Sequence, residues 1–542
     1  MLRSLRLILV ATLLPSAAQG QWVPMIGDDA TVPRAGTIRL GVTPAVGSYD
    51  RRYSRSGDGT VEPLGADFAA LSLERLPSGI GTQDRIRALT GIPDLSLTLG
   101  DLDIRLDGRV EQLPLRLELG LPGRIAVNVM LPFVRTRMTV VPGPGIGTGA
   151  NAGVNPALTN SQAAAQNAAL SNALAQAAAA LRARLDQCAG SVAPECASVN
   201  ADRNATAAFA NSADAFRGNL DEVYASSQFV PVVATPAEQA IAAQIASLRA
   251  QFESFGVDAM TAAPARPVGA APMTYGDLQE LLSNPQFGIS SDPLVTAERV
   301  ALGDMEVGAR IVLLDAITGR TPRAAGLRLA VGGLVRLGTG TLPTTQNVIS
   351  IGTGDGQTDI EGHAIVDAAL GRRFATTLAA RYTRQLEDER AMRIPEIAGQ
   401  PFILAEREAL VRRDLGDALL LEATPRIALN DFFAIGGYFS YRRKGADSHE
   451  FASVSGTPEE PLESTLDPAV LDEGTEIREQ RAGIGVAYSN LAAFNRGRAR
   501  FPFEVSFLHV QTTGASGGMV PVLREDRLQL RLYFPVWRRL RN

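Results

Sequence analysis

The feature that most constrains this chain is a strict alternation of apolar and polar residues, which recurs in many separate segments. The segment 527–534 reads RLQLRLYF, and its leucines alternate with arginine, glutamine and tyrosine. The same period of two occurs at 38–42, 113–119, 125–133, 305–311, 327–337 and 482–488. Successive side chains of a β-strand point to opposite faces of the sheet. Each segment is therefore predicted to be a strand with one apolar face and one polar, often charged, face.

Two all-β architectures fit this pattern. A soluble sandwich buries its apolar faces between two sheets, whereas a transmembrane barrel turns them towards lipid and encloses a polar lumen. Three features favour the barrel. The segments are often longer than the roughly 9–11 residues that a tilted strand needs to cross a bilayer. Their polar faces carry full charges, and the connections between them alternate between short and long. A secreted sandwich is the weaker alternative.

We predict a transmembrane antiparallel up-and-down barrel of about twelve strands. They are placed at 37–50, 110–120, 124–135, 303–316, 326–338, 360–371, 374–387, 414–426, 430–443, 478–490, 498–512 and 525–536. Two further candidates, 66–75 and 95–106, would raise the count to fourteen if both span. Otherwise they form an outer loop or fold inward. An even number of strands, with short periplasmic turns and long outer loops, is typical of outer-membrane barrels.

The N-terminus reads as a secretory signal over residues 1–20. Arg3 and Arg6 precede the short apolar run LILVATLL (7–14), and small residues lead to Gly20. Beyond residue 20, no uncharged apolar run reaches about 18 residues, so no transmembrane helix is predicted. A net charge of -5 argues against a sequence-independent nucleic-acid binder. We expect a protein of the outer membrane.

A large insertion divides the predicted barrel into two sets of strands, 21–138 and 303–542. The insertion, 139–302, contains an Ala-rich segment (157–187) with high helix propensity, and further helices are expected near 198–217 and 236–255. Cys188 and Cys196 lie between the first two helices and are candidates for a disulfide. The insertion is either a functional projection, outside the barrel or plugging the lumen, or a partly disordered spacer.

Three segments carry a family resemblance: LGLPGRIAVNVMLPFVRTRM, ALGDMEVGARIVLLD and LRLAVGGLVRLGTGT. They resemble strand and turn elements of the MetA-pathway phenol-degradation transporters, which are related in style to FadL-type channels for hydrophobic compounds. The resemblance covers about 110–138 and 303–390, and the C-terminal strands only in general pattern. It implies an outer-membrane channel for small hydrophobic or aromatic solutes, and it carries over no catalytic residues. The inserted 139–302 segment is longer than that family would lead us to expect.

The sequence shows no arrangement typical of an enzyme, a metal site or a cofactor site. No G-x-S-x-G nucleophile motif and no C-x-x-C or H-x-x-x-H spacing occurs. His363 shares the polar face of its strand with Glu361 and Asp367, which suits either a proton-transfer cluster or, more simply, a row of lumen residues. His449 lies in a charged loop, and His509 on an apolar face. We therefore expect a barrel that is not an enzyme.

The predicted function is passive movement of a small solute across the outer membrane. Its partners would be the lipid bilayer, the solute and the barrel-assembly machinery, and no nucleic acid. The alternatives are a non-transport surface barrel whose insertion binds a partner, and a barrel hydrolase. The residues predicted to line the lumen are Arg39, Arg116, Glu118, Asn128, Glu306, Arg310, Arg328, Arg336, Glu361, His363, Asp367, Arg381, Arg481, Glu504, Arg527, Gln529 and Arg531.

Overall fold

The computed structural model describes residues 23–317, 325–349, 351–371, 373–452 and 466–536, so the predicted signal 1–20 lies outside the described residues. The strands are β1 (Thr37–Val42), β2 (Ala45–Tyr49), β3 (Arg51–Tyr53), β4 (Val61–Pro63), β5 (Ile104–Leu121), β6 (Ile125–Pro142), β7 (Ala152–Val154), β8 (Phe229–Pro231), β9 (Ala297–Leu302), β10 (Met305–Asp315), β11 (Ala325–Leu337), β12 (Asp359–Leu370), β13 (Phe374–Gln385), β14 (Asp388–Arg393), β15 (Glu408–Asp414), β16 (Ala418–Ala428), β17 (Phe433–Lys444), β18 (Ser448–Phe451), β19 (Ile477–Ser489), β20 (Phe503–Ser516) and β21 (Arg524–Pro535). The α-helices are α1 (Gly79–Thr90), α2 (Ser161–Gln187), α3 (Ala197–Ala201), α4 (Arg203–Asp221), α5 (Pro236–Ser254), α6 (Tyr275–Ser283) and α7 (Leu491–Asn495).

Fourteen of these strands build one closed antiparallel barrel with twelve positions in its wall. β1 and β2 follow each other at one position, and β9 and β10 at another. The order around the ring is β1/β2, β5, β6, β9/β10, β11, β12, β13, β16, β17, β19, β20 and β21. The ring closes because β21 pairs with β1 and β2, which pair in turn with β5. The predicted twelve-stranded barrel is confirmed.

The fourteen-strand alternative is wrong, because neither extra candidate adds a strand to the wall. Residues 66–75 contain two short 3-10 helices, and within 95–106 only the start of β5, from Ile104, is a strand. The alternating leucines Leu71, Leu73, Leu97 and Leu99 are fully buried in a core outside the barrel. Here the apolar side of the alternating pattern is covered by protein. The pattern alone does not determine whether lipid or protein covers it.

The connections alternate as predicted, with short turns at one end of the barrel and long loops at the other. The turns are 122–124, 316–324, 371–373, 429–432 and 490–502, and the loops are 50–103, 143–296, 338–358, 386–417, 445–476 and 517–523. In outer-membrane barrels the short turns face the periplasm. The inserted segment is 143–296 instead of the predicted 139–302. β5 and β6 each run for 18 residues, and β9 pairs with the outer part of β6.

The wall exposes apolar side chains on its outer face. Leu117, Leu378, Phe439 and Ile484 are exposed in the middle of their strands. Aromatic side chains collect where strands meet the short turns, as in the pair Phe433 and Tyr488 with ring centroids 5.1 Å apart. Aromatic girdles around an apolar band are typical of barrels in a bilayer. A closed ring also leaves no unpaired edge in hydrocarbon. These features place the barrel in an outer membrane.

A compact helical unit, here called the cap (residues 64–103 and 143–296), sits at the loop end. Its core contains fully buried side chains from α2, α5 and α6, among them Leu181, Ile241 and Leu282. The outer loops join it, since Phe402 packs against Phe68 with ring centroids 6.0 Å apart. A folded unit with its own core does not fit the spacer alternative. None of the described helices is long and apolar enough to cross a membrane.

A disulfide joins Cys188 and Cys196, with an S–S distance of 2.01 Å. It closes the connection between α2 and α3 within the cap. Both cysteines are buried in a small cluster with Leu185 and Val199. The bond therefore holds the end of the long helix α2 against the segment that leads into α4.

Candidate functional site

The polar residues assigned to the lumen share the inward face of the barrel wall. Eleven of them are buried: Arg39, Glu118, Asn128, Glu306, Arg310, Arg328, Glu361, His363, Asp367, Glu504 and Arg531. Six are half-buried: Arg116, Arg336, Arg381, Arg481, Arg527 and Gln529. The apolar residues that alternate with them are exposed. The two faces of each strand therefore lie in different environments.

The turn-side half of the lumen is filled by the chain that precedes β1. This segment, residues 23–34, is here called the plug. Val23 packs near the turn end against Ala428 and Ala434 of β16 and β17. Further along, Ala30 packs against residues of β10 to β13, including Val312 and Ile365. The plug thus passes through the interior between different sides of the ring before the chain enters the wall as β1.

Asp28 of the plug binds one side of the wall. Its carboxylate accepts hydrogen bonds from Arg310 of β10 at 3.1 Å and from Arg381 of β13 at 2.7 Å. The neighbouring Asp29 contributes its carbonyl oxygen to the same side, 2.7 Å from Arg310 Nη1. The backbone amide of Ala30 donates to Asp367 of β12 at 3.1 Å. One side of the plug is therefore tied to three strands.

Asp29 binds the opposite side of the ring through its carboxylate. It forms an ion pair with Arg531 of β21, and Arg39 of β1 lies 4.0 Å away. Arg39 also donates to Glu118 of β5, with an Nε–Oε2 distance of 2.8 Å. Adjacent carboxylates thus reach opposite walls, because neighbouring side chains of an extended segment point in opposite directions. The plug is anchored across the full width of the lumen.

Both plug carboxyl groups are held in the ionised form. Burial by itself raises their pKa, but the arginines around them more than compensate. For Asp28 the largest of these contributions is that of Arg310, and for Asp29 that of Arg531. The net result is a pKa well below the ordinary value for both groups. The anchors therefore stay charged across the physiological pH range.

A second group of charges surrounds Arg381. Besides Asp28, this side chain contacts Glu361 at 3.3 Å and Glu422 at 3.0 Å. His363 Nδ1 lies 3.2 Å from Glu361. Asp367, which shares their face of β12, binds Thr377 and Arg328 instead. The structure therefore joins His363 and Glu361 but leaves Asp367 in a separate group.

Sequence reasoning missed several residues of this site. Asp28 and Asp29 lie in a segment without periodicity, and the one available signal was a pair of carboxylates just before a barrel rich in arginine. Glu422, Arg426 and Tyr438 have the same inward parity as their predicted neighbours, and Tyr438 donates to Glu422 at 2.9 Å. They could have been found by extending the alternation along β16 and β17.

The other two histidines also have acidic partners. His449 of β18 is buried in the outer loops, with Nδ1 2.7 Å from Asp472. His509 lies on the outer face of β20, 2.8 Å from Asp526. Within the ranges described, none of the three imidazoles hydrogen-bonds to a hydroxyl or a thiol. Among the same residues, no group of three or more His, Cys, Asp or Glu is placed to hold a metal ion.

The wall is interrupted between β16 and β17. The strands pair from Ala418 to Ala423 and again from Arg426, but Thr424 and Pro425 have no partner on β17. Pro425 has no amide hydrogen to donate, and Gly437 stands opposite it. The register is the same on both sides of the break. The wall is therefore locally weakened without being shifted.

An apolar hollow of about 1390 Å³ lies on the outer surface at this break. We call it the lateral hollow. Large apolar residues that line it are Leu370, Phe374, Ile427, Ile435, Ile484 and Phe507. The backbones of Pro425, Gly436 and Gly485 are also part of its lining. The hollow therefore reaches from the lipid-facing surface into the wall itself.

The plug closes the inner side of the same stretch of wall. Ile26 is fully buried and packs with Tyr438, Leu508 and Val510. A β-carbon on Gly436 would lie 3.1 Å from Ile26 Cδ1, and one on Gly485 would lie 3.0 Å from Ile26 Cγ2. Glycine at these positions lets the plug approach the wall closely. Ile26 thus stands directly behind the lateral hollow.

Comparison with known proteins gives weak similarities. No protein-family model matches this chain, and no curated protein is significantly similar to it. A COG4313 outer membrane channel from Pseudomonas putida F1 is 8% identical, with a TM-score of 0.41 over 94% of this chain and 100% of that one. A FadL homologue from Pseudomonas aeruginosa is 8% identical (TM-score 0.24, 92% of this chain and 90% of that one).

The toluene transporter TbuX from Ralstonia pickettii is 6% identical, with a TM-score of 0.29 over 92% of this chain and 90% of that one.

Proposed function

We propose that this barrel is a plugged channel through which small hydrophobic or aromatic solutes cross the outer membrane passively. The observation that carries the proposal is the anchoring of the plug to opposite walls through Asp28 and Asp29. A barrel that served only as a support would not need its interior closed by a separate segment. A segment that enters the lumen without joining the wall can leave it again, whereas a wall strand cannot.

The apolar character of the solute is supported by the lateral hollow. A polar solute needs a wet path through the whole lumen, whereas an apolar solute gains free energy by entering hydrocarbon. The break at Pro425 and Gly437 lies between the plug residue Ile26 and a surface lined by apolar side chains. We infer that the solute enters from the outside, passes the lumen residues named above, and leaves through this break when the plug withdraws.

Two further parts of the proposal concern assembly and export. Residues 1–20 would direct the chain across the inner membrane. The barrel-assembly machinery would then recognise the last strand, β21, whose Phe534 lies on the outward face near the turn end.

The first test removes both anchors without changing side-chain size. In the double variant Asp28→Asn/Asp29→Asn, Arg310, Arg381 and Arg531 lose their buried partner charges, and breaking such pairs costs about 3–5 kcal/mol. We expect low conductance of the natural protein in planar bilayers and a much larger, long-lived conductance of the variant. The matched control is Asp526→Asn, since that carboxylate lies on the outer face. Equal conductance of all three proteins would refute the plugged channel.

The second test locks the plug against the wall. Ile26→Cys combined with Gly485→Cys places two thiols where the side chain and the glycine now touch. We expect oxidation to stop uptake of toluene into cells that carry the variant, and mild reduction to restore it. The single variant Ile26→Cys controls for the thiol itself. Unchanged uptake after complete cross-linking would show that solutes do not need this plug to move.

A further inference from the structure

The outer half of the lumen contains a group of five half-buried arginines, four of which have acidic partners. Arg336 contacts Glu306 at 3.1 Å and Asp359 at 2.9 Å, and Arg116 lies 3.5 Å from Glu306. On the other side of the ring, charges pair in the same way. Arg481 binds Glu479 at 2.7 Å, and Arg527 binds Glu525 at 2.7 Å.

The fifth arginine, Arg442 of β17, differs from the other four. In the part of the chain that the structure describes, its guanidinium makes no ion pair and no hydrogen bond. The acid beside it on β19 is Glu479, which accepts instead from Arg481 at 2.7 Å and from the Thr512 hydroxyl at 3.4 Å. Arg442 is half-buried on the inward face of its strand. The guanidinium groups of Arg442 and Arg481 therefore share the one carboxylate of Glu479, and only Arg481 is hydrogen-bonded to it.

The charges around Arg442 do not balance. Glu479 attracts its guanidinium, whereas Arg481 and Arg336 repel it. The neighbour on its other side, across the β16 ladder, is the inward-facing Leu420. Withdrawing a charge from water without a partner is costly, and a bound anion would offset that cost. The site thus combines a guanidinium that has no hydrogen-bonded carboxylate among the described residues with an adjacent apolar side chain.

We propose that Arg442 binds the carboxylate of a small aromatic acid in transit, while Leu420 contacts the ring. A guanidinium can hold a carboxylate through two parallel hydrogen bonds. A monoanion suits a site in which one carboxylate, Glu479, already serves two arginines, whereas a dianionic phosphate would be repelled more strongly by that carboxylate. The proposal rests on the proposed function, because it concerns solutes inside the same lumen, and it adds aromatic acids to the neutral solutes that the lateral hollow suits.

The test is equilibrium dialysis of radiolabelled benzoate against the full-length protein in detergent. Benzyl alcohol, which has the same ring without the charge, is the comparison ligand. We expect benzoate to bind more tightly than benzyl alcohol. Arg442→Gln should weaken benzoate binding about tenfold or more, because the charge-assisted hydrogen bonds to the carboxylate are lost, and Arg442→Lys should keep part of the affinity.

The matched control is Arg443→Gln, the next residue along β17. Its side chain is 60% exposed and points outward, so benzoate binding should not change. Heat-modifiable migration of each variant shows whether the barrel is folded. Equal binding of benzoate to the natural protein and the Arg442→Gln variant would overturn the proposal. So would equal affinity for benzoate and benzyl alcohol, or no binding of benzoate.

The failure of this proposal is distinct from the failure of the proposed function. Dialysis reports binding whether or not the plug ever opens. Charge-dependent binding that is lost in Arg442→Gln supports the anion site even if the Asp28→Asn/Asp29→Asn channel does not conduct. If the plug variant conducts but Arg442→Gln does not change benzoate affinity, the channel proposal stands and the anion-site proposal is refuted.

Discussion

The barrel wall and the cap bury their apolar side chains in opposite places. In the wall, residues such as Leu378 and Ile484 are exposed on the outside, and charged residues such as Glu118 and Arg531 are buried inside. In the cap, Leu181 and Phe252 lie in the centre of a core surrounded by polar surface. Each arrangement follows its solvent, because lipid accepts apolar side chains and water does not. Apolar side chains of the same chain are therefore exposed in the wall and buried in the cap.

Ion pairs on the outer surface and in the lumen also differ in their access to water. Ion pairs on the outer surface, such as Arg135 with Glu298, remain in contact with water. Those in the lumen join the plug to the wall or one wall strand to the next, and they have little access to solvent. Removing one partner should therefore have very different consequences in the two places.

The largest expected effect is in the cap core. Phe252 is fully buried and its ring centroid lies 4.9 Å from that of Phe209. Phe252→Ala should lower the free energy of unfolding of the cap by about 3–5 kcal/mol, because it leaves a cavity in a packed core. Limited proteolysis of the folded barrel measures this as faster cleavage of the cap. Phe439→Ala, at an exposed position on the wall, is the control and should leave cap cleavage unchanged.

A smaller effect is expected on the lipid-facing side of the wall. Leu378→Arg should weaken folding into bilayers by about 2–4 kcal/mol, because a charge near the membrane midplane must leave water. Denaturant titration in lipid vesicles measures this difference. Arg384→Leu lies on the same outward face of β13, nearer the loop end, and should change stability little. Comparable losses for both variants would contradict the position of the apolar band.

The disulfide is expected to act within the cap alone. It closes a short loop of eight residues' separation, and a link of this length is worth about 2–3 kcal/mol in the chain-entropy account. The double variant Cys188→Ser/Cys196→Ser should speed proteolysis near α2 and α3. Heat-modifiable migration of the barrel should stay as it is. A barrel that no longer folds would show that the cap and the wall form one cooperative unit.

The smallest effect is expected for an outer ion pair. Glu298→Gln removes the partner of Arg135 at an exposed position and should change stability by less than about 1 kcal/mol. The inner counterpart Glu118→Gln leaves Arg39 buried without its main partner on β5 and should cost several times more. Unfolding in denaturant compares the two variants directly. Similar losses would mean that the lumen is as well solvated as the outer surface.

The barrel was predictable because its signal is local. A period of two sets which side chains share a face, whatever the rest of the chain does, so the twelve strands of the wall could be assigned one by one. The same reasoning left 66–75 and 95–106 undecided between wall strands and an outer or inward-folding segment, and it could not place 139–302. Alternation and helix propensity do not say which surface will cover an apolar face, and β5 and β6 continue past the bilayer into the cap.

The plug and its anchoring residues could not be predicted from the sequence. Asp28 and Asp29 are two ordinary acidic residues until strands far along the chain bring Arg310, Arg381 and Arg531 around them. The break beside Pro425 likewise becomes a candidate exit only because Ile26 lies behind it. The sequence by itself determined which residues of each wall strand share a face, since that property depends on neighbours along the chain. Only the tertiary structure decided what occupies the lumen, because closing the ring is what makes distant charges meet.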